Sequence, residues 1–517
     1  MKIRTQFIAL GRKANSNIHE DNVGVDRIAI YLKNIGLFAK MSYFYIDEGI
    51  DNIVNNVDRS CNYFGITLHS ENVDFVFQLA EELKRNISNS VVFVGSIFAT
   101  LCAKDIVKNC EFIDFVVLGH GEIPIETLYQ DIINNNLSLE QALEKSSYIL
   151  YRNNMSKVKP CYSNIEIHSL PERQYLANNN KTVACIIGSH GCYGKCTFCT
   201  VPEPGAIVSE RSANDIFDEI KKLYLSNKIS FFYFLDAAIE GFGRRGKKRL
   251  LELCKLIINS NYKLSFRAFI RSESFGENDE DLEILKYLRK AGFVNLIIGI
   301  ESGNENDLKI YNKLCTLADN KKCLSLFKSM NFNIMLGYII LNPYTNYYDL
   351  KQNYELLRNS EFSLLHNFIN CLQVNYNTPI YYKLEEDGLL NDNFSFKTNG
   401  YDYHCIDDRT DKIFRFIKDN FLDSEICNKD FQFHNHLTHI FYLLNVLDGM
   451  EDIECEVKEI RKSINLLCKE YFKILIKDYE LIKAGKKINE FITNILALYK
   501  KVENIDNKLI KKYLLIK

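Results

Sequence analysis

The chain of 517 residues carries 64 Lys+Arg against 66 Asp+Glu, a net charge of -2, and 47% hydrophobic residues. That length has room for two or three domains with full cores, and the near-neutral balance excludes a general electrostatic pull toward nucleic acid. No apolar run is long enough to cross a bilayer and the N-terminal MKIRTQFIALGRK lacks a signal-peptide core, so the reading is a cytoplasmic protein whose 16 cysteines stay reduced.

The first 150 residues alternate strand and helix patterns. KIRTQFIAL, MSYFYID, NYFGITLH, SVVFVGS and FIDFVVLGHGE read as five short buried strands. GVDRIAIYLKNIG, ENVDFVFQLAEELKRN, ATLCAKDIVKN and IPIETLYQDIINN read as helices. This α/β pattern predicts a doubly wound, Rossmann-like parallel sheet over residues 1–150, with any ligand beyond the strands' C-terminal ends. No GxGxxG follows the first strand and no Walker lysine motif is present, which argues against a dinucleotide or a triphosphate. Polar, proline-punctuated residues 151–180 read as a linker.

A second α/β unit is predicted over 181–360. KTVACIIGSHG reads as its first strand, and CYGKCTFC follows at once, placing Cys192, Cys196 and Cys199 in the loop before a helix N-capped by Ser212. Three thiolates on an iron–sulfur cube leave one iron open to a small molecule. A zinc knuckle completed by His190, or three core thiols, are the alternatives. FFYFLDAA, YKLSFRAFIR, VNLIIGIESG, FNIMLGYIILNP and FINCLQVNYN continue the alternation, predicting a partial six-stranded (β/α)6 barrel. Asp236, Arg271, Glu301 and Asn342 end successive strands and so share one rim.

In these motifs the chain resembles the radical SAM superfamily. The resemblance implies a 4Fe-4S cluster on Cys192, Cys196 and Cys199, S-adenosylmethionine (SAM) chelating the open iron, and reductive cleavage to a 5′-deoxyadenosyl radical. It also implies SAM contacts from Glu301 in GIESG, Arg271 in FIRSE, Asp236 in FLDA, where Ala237 replaces a second acid, and Phe198 over the adenine. GITLHSENVDFVFQLAEELK, VVFVGSIFAT and FVVLGHGEIPIETL resemble the cobalamin-binding domain fused to many members of that family. Contacts from Thr67, Ser70, Gly95, Ser96, Gly119 and Gly121 to a corrinoid follow from that resemblance. The D-x-H-x-x-G lower-ligand signature is absent: Asn17 and Asn22 flank His19 in its place, and His19 reads as a solvated loop residue.

From residue 361 onward the chain finishes the barrel and then turns helical, predicting a helical C-terminal cap over the barrel mouth. FHNHLTH groups His434, His436 and His439, read as structural although metal binding is conceivable, and GRRGKKR reads as a solvated basic loop before a helix. The resemblance implies a cobalamin-dependent radical SAM enzyme, first of all a C-methyltransferase acting on a small molecule or peptide. An electron donor such as flavodoxin or ferredoxin is expected; nucleic-acid and membrane partners are not. A cyclase or rearrangement enzyme, a tRNA methylthiotransferase, and a non-catalytic corrinoid-binding protein are the alternatives; against the second of these, Cys61, Cys102 and Cys110 are not spaced as a second-cluster set and the tail reads as helical. No catalytic acid or base is singled out.

Overall fold

The computed structural model describes residues 3–12, 23–155, 158–164, 173, 183–201, 208–330 and 332–516, with side chains to 514. Asn17, His19 and Asn22 lie outside the described residues.

Two parallel sheets organise the molecule. The first contains β1 (Arg4–Gly11), β2 (Phe38–Tyr45), β3 (Tyr63–Thr67), β4 (Val91–Gly95), β5 (Phe115–Val117) and β6 (Ile149–Leu150). Their order is β2-β1-β3-β4-β5-β6, parallel except for β6, an antiparallel edge strand that the sequence reading lacked. Separate apolar cores flank the two faces, so the middle of β1 (Phe7, Ile8, Ala9) is buried on both sides. This explains its continuous apolar run instead of an alternating one. The strand order reverses between β1 and β3, opening a crevice at their C-terminal ends.

Residues assigned to the linker add to this structure. Cys161 bridges Gly119, with Cys161 N–H donating to Leu118 O at 3.0 Å and His120 N–H donating to Cys161 O at 2.7 Å. Arg173 is almost fully buried: its backbone N–H meets Asp26 of the first unit at 2.9 Å and its guanidinium meets Glu219 of the second at 2.5 Å.

The second sheet consists of β7 (Val183–Ile186), β10 (Phe231–Phe234), β11 (Ser265–Arg271), β12 (Phe293–Glu301) and β13 (Asn333–Tyr338). A small antiparallel ribbon, β8 (Ser189–His190) with β9 (Ser209–Glu210), follows β7. The strands of the second sheet are parallel and stand in sequence order, the single-direction winding of an open barrel. Ser212 caps helix Ala213–Asn227 as expected, accepting from Asp215 N–H.

FINCLQVNYN is not a sixth strand. It begins in helix Leu365–Ile369 and continues as an irregular stretch that makes two ladder-like bonds, Ile340 N–H to Asn370 O and Leu372 N–H to Leu341 O, both 2.9 Å. Side-chain amides take the place of strand N–H groups: Asn367 donates to Leu336 O at 2.9 Å and Asn370 to Tyr338 O at 2.6 Å. The open edge of β13 is thereby satisfied without a strand.

GRRGKKR also departs from expectation. It forms the first turns of helix Gly243–Asn259; Lys247 pairs with Asp281 at 2.5 Å, and buried Arg249 donates to the carbonyls of Gly188 and Ile239.

The C-terminal helices Glu425–Val446, Glu451–Phe472 and Leu481–Ile516 cover the other end of the barrel from the one predicted. Ser265 Oγ donates to Tyr442 O, Asn295 Nδ2 to Thr438 O and Arg461 to Asn333 Oδ1, all at strand starts. The mouth faces the first unit instead. Residues 370–407 run between the rims there: Ile380 N–H donates to Thr197 O, Asn377 Nδ2 to Leu101 O, and Phe396 enters the first unit's core.

Candidate active site

The cysteine loop leaves β7 and is held from beneath. Thr197 N–H donates to Tyr311 O at 3.0 Å, Thr197 Oγ1 to Ile310 O at 2.8 Å, and Asn312 Nδ2 to Lys195 O at 2.9 Å. Phe198 packs edge-on against Tyr311, with ring centroids 5.3 Å apart. Backbone N–H groups face two sulfurs: Gly194 to Cys192 Sγ and Val201 to Cys199 Sγ, each 3.4 Å. Burial pushes the Cys199 thiol up to about 11 and also raises Cys196, where Lys313 and Arg271 act in the opposite direction. Amide donors and two cations around these sulfurs fit thiolates bound to metal better than free thiols. His190 does not complete a knuckle with them; its ring lies against His120, centroids 4.3 Å apart.

The strand ends bring charge to this loop. Arg271 Nη1 stands 3.9 Å from Cys192 Sγ, its Nε donates to Glu273 at 2.5 Å, and its Nη2 is buried without a partner. An added Cβ at Gly194 would collide with Nη1, so this glycine permits the approach. Glu301 ends β12 at a register shift with φ of +62°, a left-handed conformation costly for a side-chain-bearing residue and typical of functional sites. Its Oε1 lies 3.4 Å from the Nζ of nearly buried Lys313, which also donates to Gly299 O. Burial alone would lower Lys313, yet neighbouring Glu301 and Cys196 hold it above its ordinary value.

Asp236 has a different task. It is buried, and its two oxygens accept from Gly188 N–H at 2.8 Å and Ser189 Oγ at 2.5 Å, so it positions the loop from behind. Asn342 is likewise buried, donating to Asp307 at 2.7 Å and Tyr311 at 3.0 Å. A buried acid, Glu240, stands three residues after Ala237. Glu240 accepts from Arg271 N–H, Tyr193 OH and Ser274, and burial pushes it up to about 7.

Between the rims lies a largely apolar cavity of about 470 Å³. The first unit contributes Gly65, Thr67, His69, Gly95, Ser96 and Gly119; the second contributes Ile187, Ser189, His190, Val201 and Ala237. Of the six residues expected here, Thr67, Gly95, Ser96, Gly119 and Gly121 line it; Ser70 does not, and its hydroxyl meets Glu71 in an exposed turn. Thr67 Oγ1 is buried without a partner. Ser96 instead caps a short helix and donates to Leu68 O. The sequence reading also missed Arg27 and Glu122, buried charges in the wall.

Residues 186–357 match the model of the radical SAM superfamily. They form a radical SAM domain. The anaerobic magnesium-protoporphyrin IX monomethyl ester cyclase of Cereibacter sphaeroides is 22% identical over 262 residues, 49% of this chain and 42% of that protein. The chain thus matches less than half of that relative's length. The fold is shared with OxsB, a cobalamin-dependent SAM radical enzyme solved with aqua-cobalamin and SAM bound (TM-score 0.72, 16% identity, 99% of this chain and 80% of that one). It is shared less completely with TsrM, a radical SAM methyltransferase from Kitasatospora setae solved with cobalamin and a [4Fe-4S] cluster (TM-score 0.55, 14% identity, 74% and 75%).

Within the radical SAM domain, the family resemblance pointed to Cys192, Cys196, Cys199, Arg271 and Glu301, and the structure gathers them at one rim. Lys313 had no motif to reveal it. Cys61, Cys102 and Cys110 are buried in the first unit's core.

Proposed function

We propose that the chain is a cobalamin-dependent radical SAM enzyme that methylates an unactivated carbon of a small molecule or peptide. The observation that carries this reading is the shared cavity: one apolar chamber is walled by the ends of both sheets and adjoins the cysteine loop at Gly191 and Val201. When bound, a 4Fe-4S cluster would supply one electron for cleaving SAM and a corrinoid would supply a methyl-carrying cobalt.

The residues present fit both groups. Cys192, Cys196 and Cys199 would hold the cluster, with Lys313, Arg271 and two backbone N–H groups offsetting its negative charge. Glu301 and Arg271, whose Nη2 has no partner, would orient the ammonium and carboxylate of SAM. Thr67 Oγ1 offers an unused hydrogen bond inside the corrinoid chamber, and Gly95 leaves the wall open where a side chain would project. The apolar lining excludes water from a reactive radical. A one-electron donor of the flavodoxin or ferredoxin kind belongs to this proposal.

The experiment is anaerobic incubation of the reconstituted protein with cobalamin, methyl-labelled SAM and a chemical reductant. Methyl transfer predicts both S-adenosylhomocysteine and 5′-deoxyadenosine. 5′-Deoxyadenosine alone would favour a cyclase or rearrangement enzyme, the reading that the Cereibacter relative's name supports. Neither product would overturn the enzyme reading and leave a corrinoid carrier. Cys196→Ala should lose iron and retain corrinoid; loss of both would contradict two separate sites.

A further inference from the structure

The histidine-rich segment divides into two clusters that face different ways. His436 and His439 each place Nδ1 2.7 Å from one oxygen of buried Asp506, closing helix Glu425–Val446 onto Leu481–Ile516. His434 turns the other way. Its Nε2 is 3.6 Å from Asp430 Oδ2, one helical turn earlier, and its ring stands edge-on to His366, with centroids 4.2 Å apart.

One donor atom from each of His366, Asp430 and His434 lies within 4.8 Å of the other two. His366 Nε2 lies 2.8 Å from Asn367 Nδ2 and 3.3 Å from Leu336 O, so both polar contacts of the ring fall on Nε2. His366 Nδ1 and His434 Nε2 are buried with no hydrogen-bond partner. Tyr499 donates to Asp430 Oδ1, leaving Oδ2 toward the imidazoles. Outer-shell groups of this kind, a carbonyl behind one imidazole and a phenol behind the carboxylate, accompany metal ligands. A cavity of about 10 Å³ touches His434, near the minimum for one water.

We propose that His366, Asp430 and His434 bind a divalent zinc-class ion that staples the C-terminal helices to the closed end of the barrel. Two imidazoles and a carboxylate, with no thiolate, are donors typical of such an ion, and a water in the small cavity could complete the shell. Zinc–ligand distances near 2.1 Å require the donor atoms to stand about 3.4 Å apart. The His434–Asp430 edge is already 3.6 Å, and the edges to His366 are no longer than 4.8 Å. Nearby Arg461 does not neutralise Asp430, because it donates to Asn333 and Ile334. Without an ion, His366 Nδ1 and His434 Nε2 are buried with no hydrogen-bond partner, an expensive arrangement.

Zinc counting tests this in the full chain with Cys192, Cys196 and Cys199 all replaced by alanine, which removes the clustered thiols of the cysteine loop. After saturation with Zn²⁺ and desalting, about one equivalent per chain should remain, and His434→Gln or His366→Gln should abolish it. Tyr499→Phe should weaken zinc binding roughly tenfold or more. A second readout needs no change at the site: Zn²⁺ should raise, and a chelator lower, the melting temperature of the triple-cysteine variant. Less than about a tenth of an equivalent together with an unmoved melting temperature would overturn the proposal. Zinc retained by both histidine variants would also overturn it, by placing the ion elsewhere.

Discussion

Two glycines on the cavity wall are there for different physical reasons. Gly119 has φ of +76° and an added Cβ would strike the Cys161 carbonyl, whereas the nearest atoms to a Cβ at Gly95 are 3.8 Å away. Gly119→Ala is therefore expected to cost about 2 kcal/mol in a denaturant titration, from backbone strain and the displaced 161 segment. Gly95→Val should leave the unfolding midpoint almost unchanged while weakening corrinoid binding at least tenfold in an absorbance titration, because its isopropyl group enters the chamber. Equal corrinoid affinity in Gly95→Val would show that the ligand does not reach this wall. Glu240 gives a pH signature. Burial raises it from 4.5 to about 7, so between those values the folded state keeps a proton that the unfolded chain has released. Stability must then fall as pH rises through that window, by up to about 3 kcal/mol. Glu240→Gln should flatten that slope in melting temperatures recorded from pH 4.5 to 8; an unaltered slope would assign the titration to other groups.

Elements are held by buried polar groups as much as by apolar packing. Asp307, fully buried, accepts from Asn304, Asn342 and Asn353 at 2.7 Å each and from Ser302 and Thr345 at 3.0 and 3.1 Å. Neutral donors thus stabilise its charge and lock β12, the residues after β13 and helix Tyr347–Asn359 together. Asn353→Leu removes a donor from Asp307 and from Ile340 O, and is expected to cost about 3 kcal/mol by chemical denaturation. A cost near zero would show that water replaces the amide. The same contacts explain which elements were legible in sequence. Strands β3, β4 and β12 are buried on both faces and read as apolar runs, and Ser212 marked its helix start by local chemistry alone. FINCLQVNYN was misread because its apolar residues suit a strand, while its outcome depends on Asn367 and Asn370 finding carbonyls of β13 more than 30 residues earlier. GRRGKKR reads as a loop because Gly243 and Gly246 are poor helix residues, yet Arg249 and Lys247 gain tertiary partners that override propensity. At the site, cysteine spacing pointed to the thiols and the resemblance of GIESG to a family motif pointed to Glu301. Lys313, Glu240 and Arg27 lie outside any motif, and only folding shows what they face.

At the scale of the whole molecule, two units meet mouth to mouth, and a few side chains set their spacing. Arg173 ties Asp26 to Glu219, while Asn377, Phe396 and Lys397 anchor the segment after the barrel to the first unit, Lys397 pairing with Asp74 at 2.7 Å. Lys397 is exposed, and its ion pair contributes little. Arg173 is the anchor that matters. Arg173→Met removes one of the two arginines that pair with Glu219 among the described residues, leaving the Arg211 pair, and should destabilise the protein by about 3 kcal/mol, with faster proteolysis between the units. Proteolysis at the wild-type rate would mean that the remaining contacts suffice. The shared chamber has a thermodynamic corollary: anything that fills it bridges both lobes, so occupancy and closure are coupled by mass action. A hundredfold excess of corrinoid over its dissociation constant would add about 2.7 kcal/mol to the assembled form. A group bound there would then act as mortar as well as ligand, and its removal would loosen the join between the two lobes.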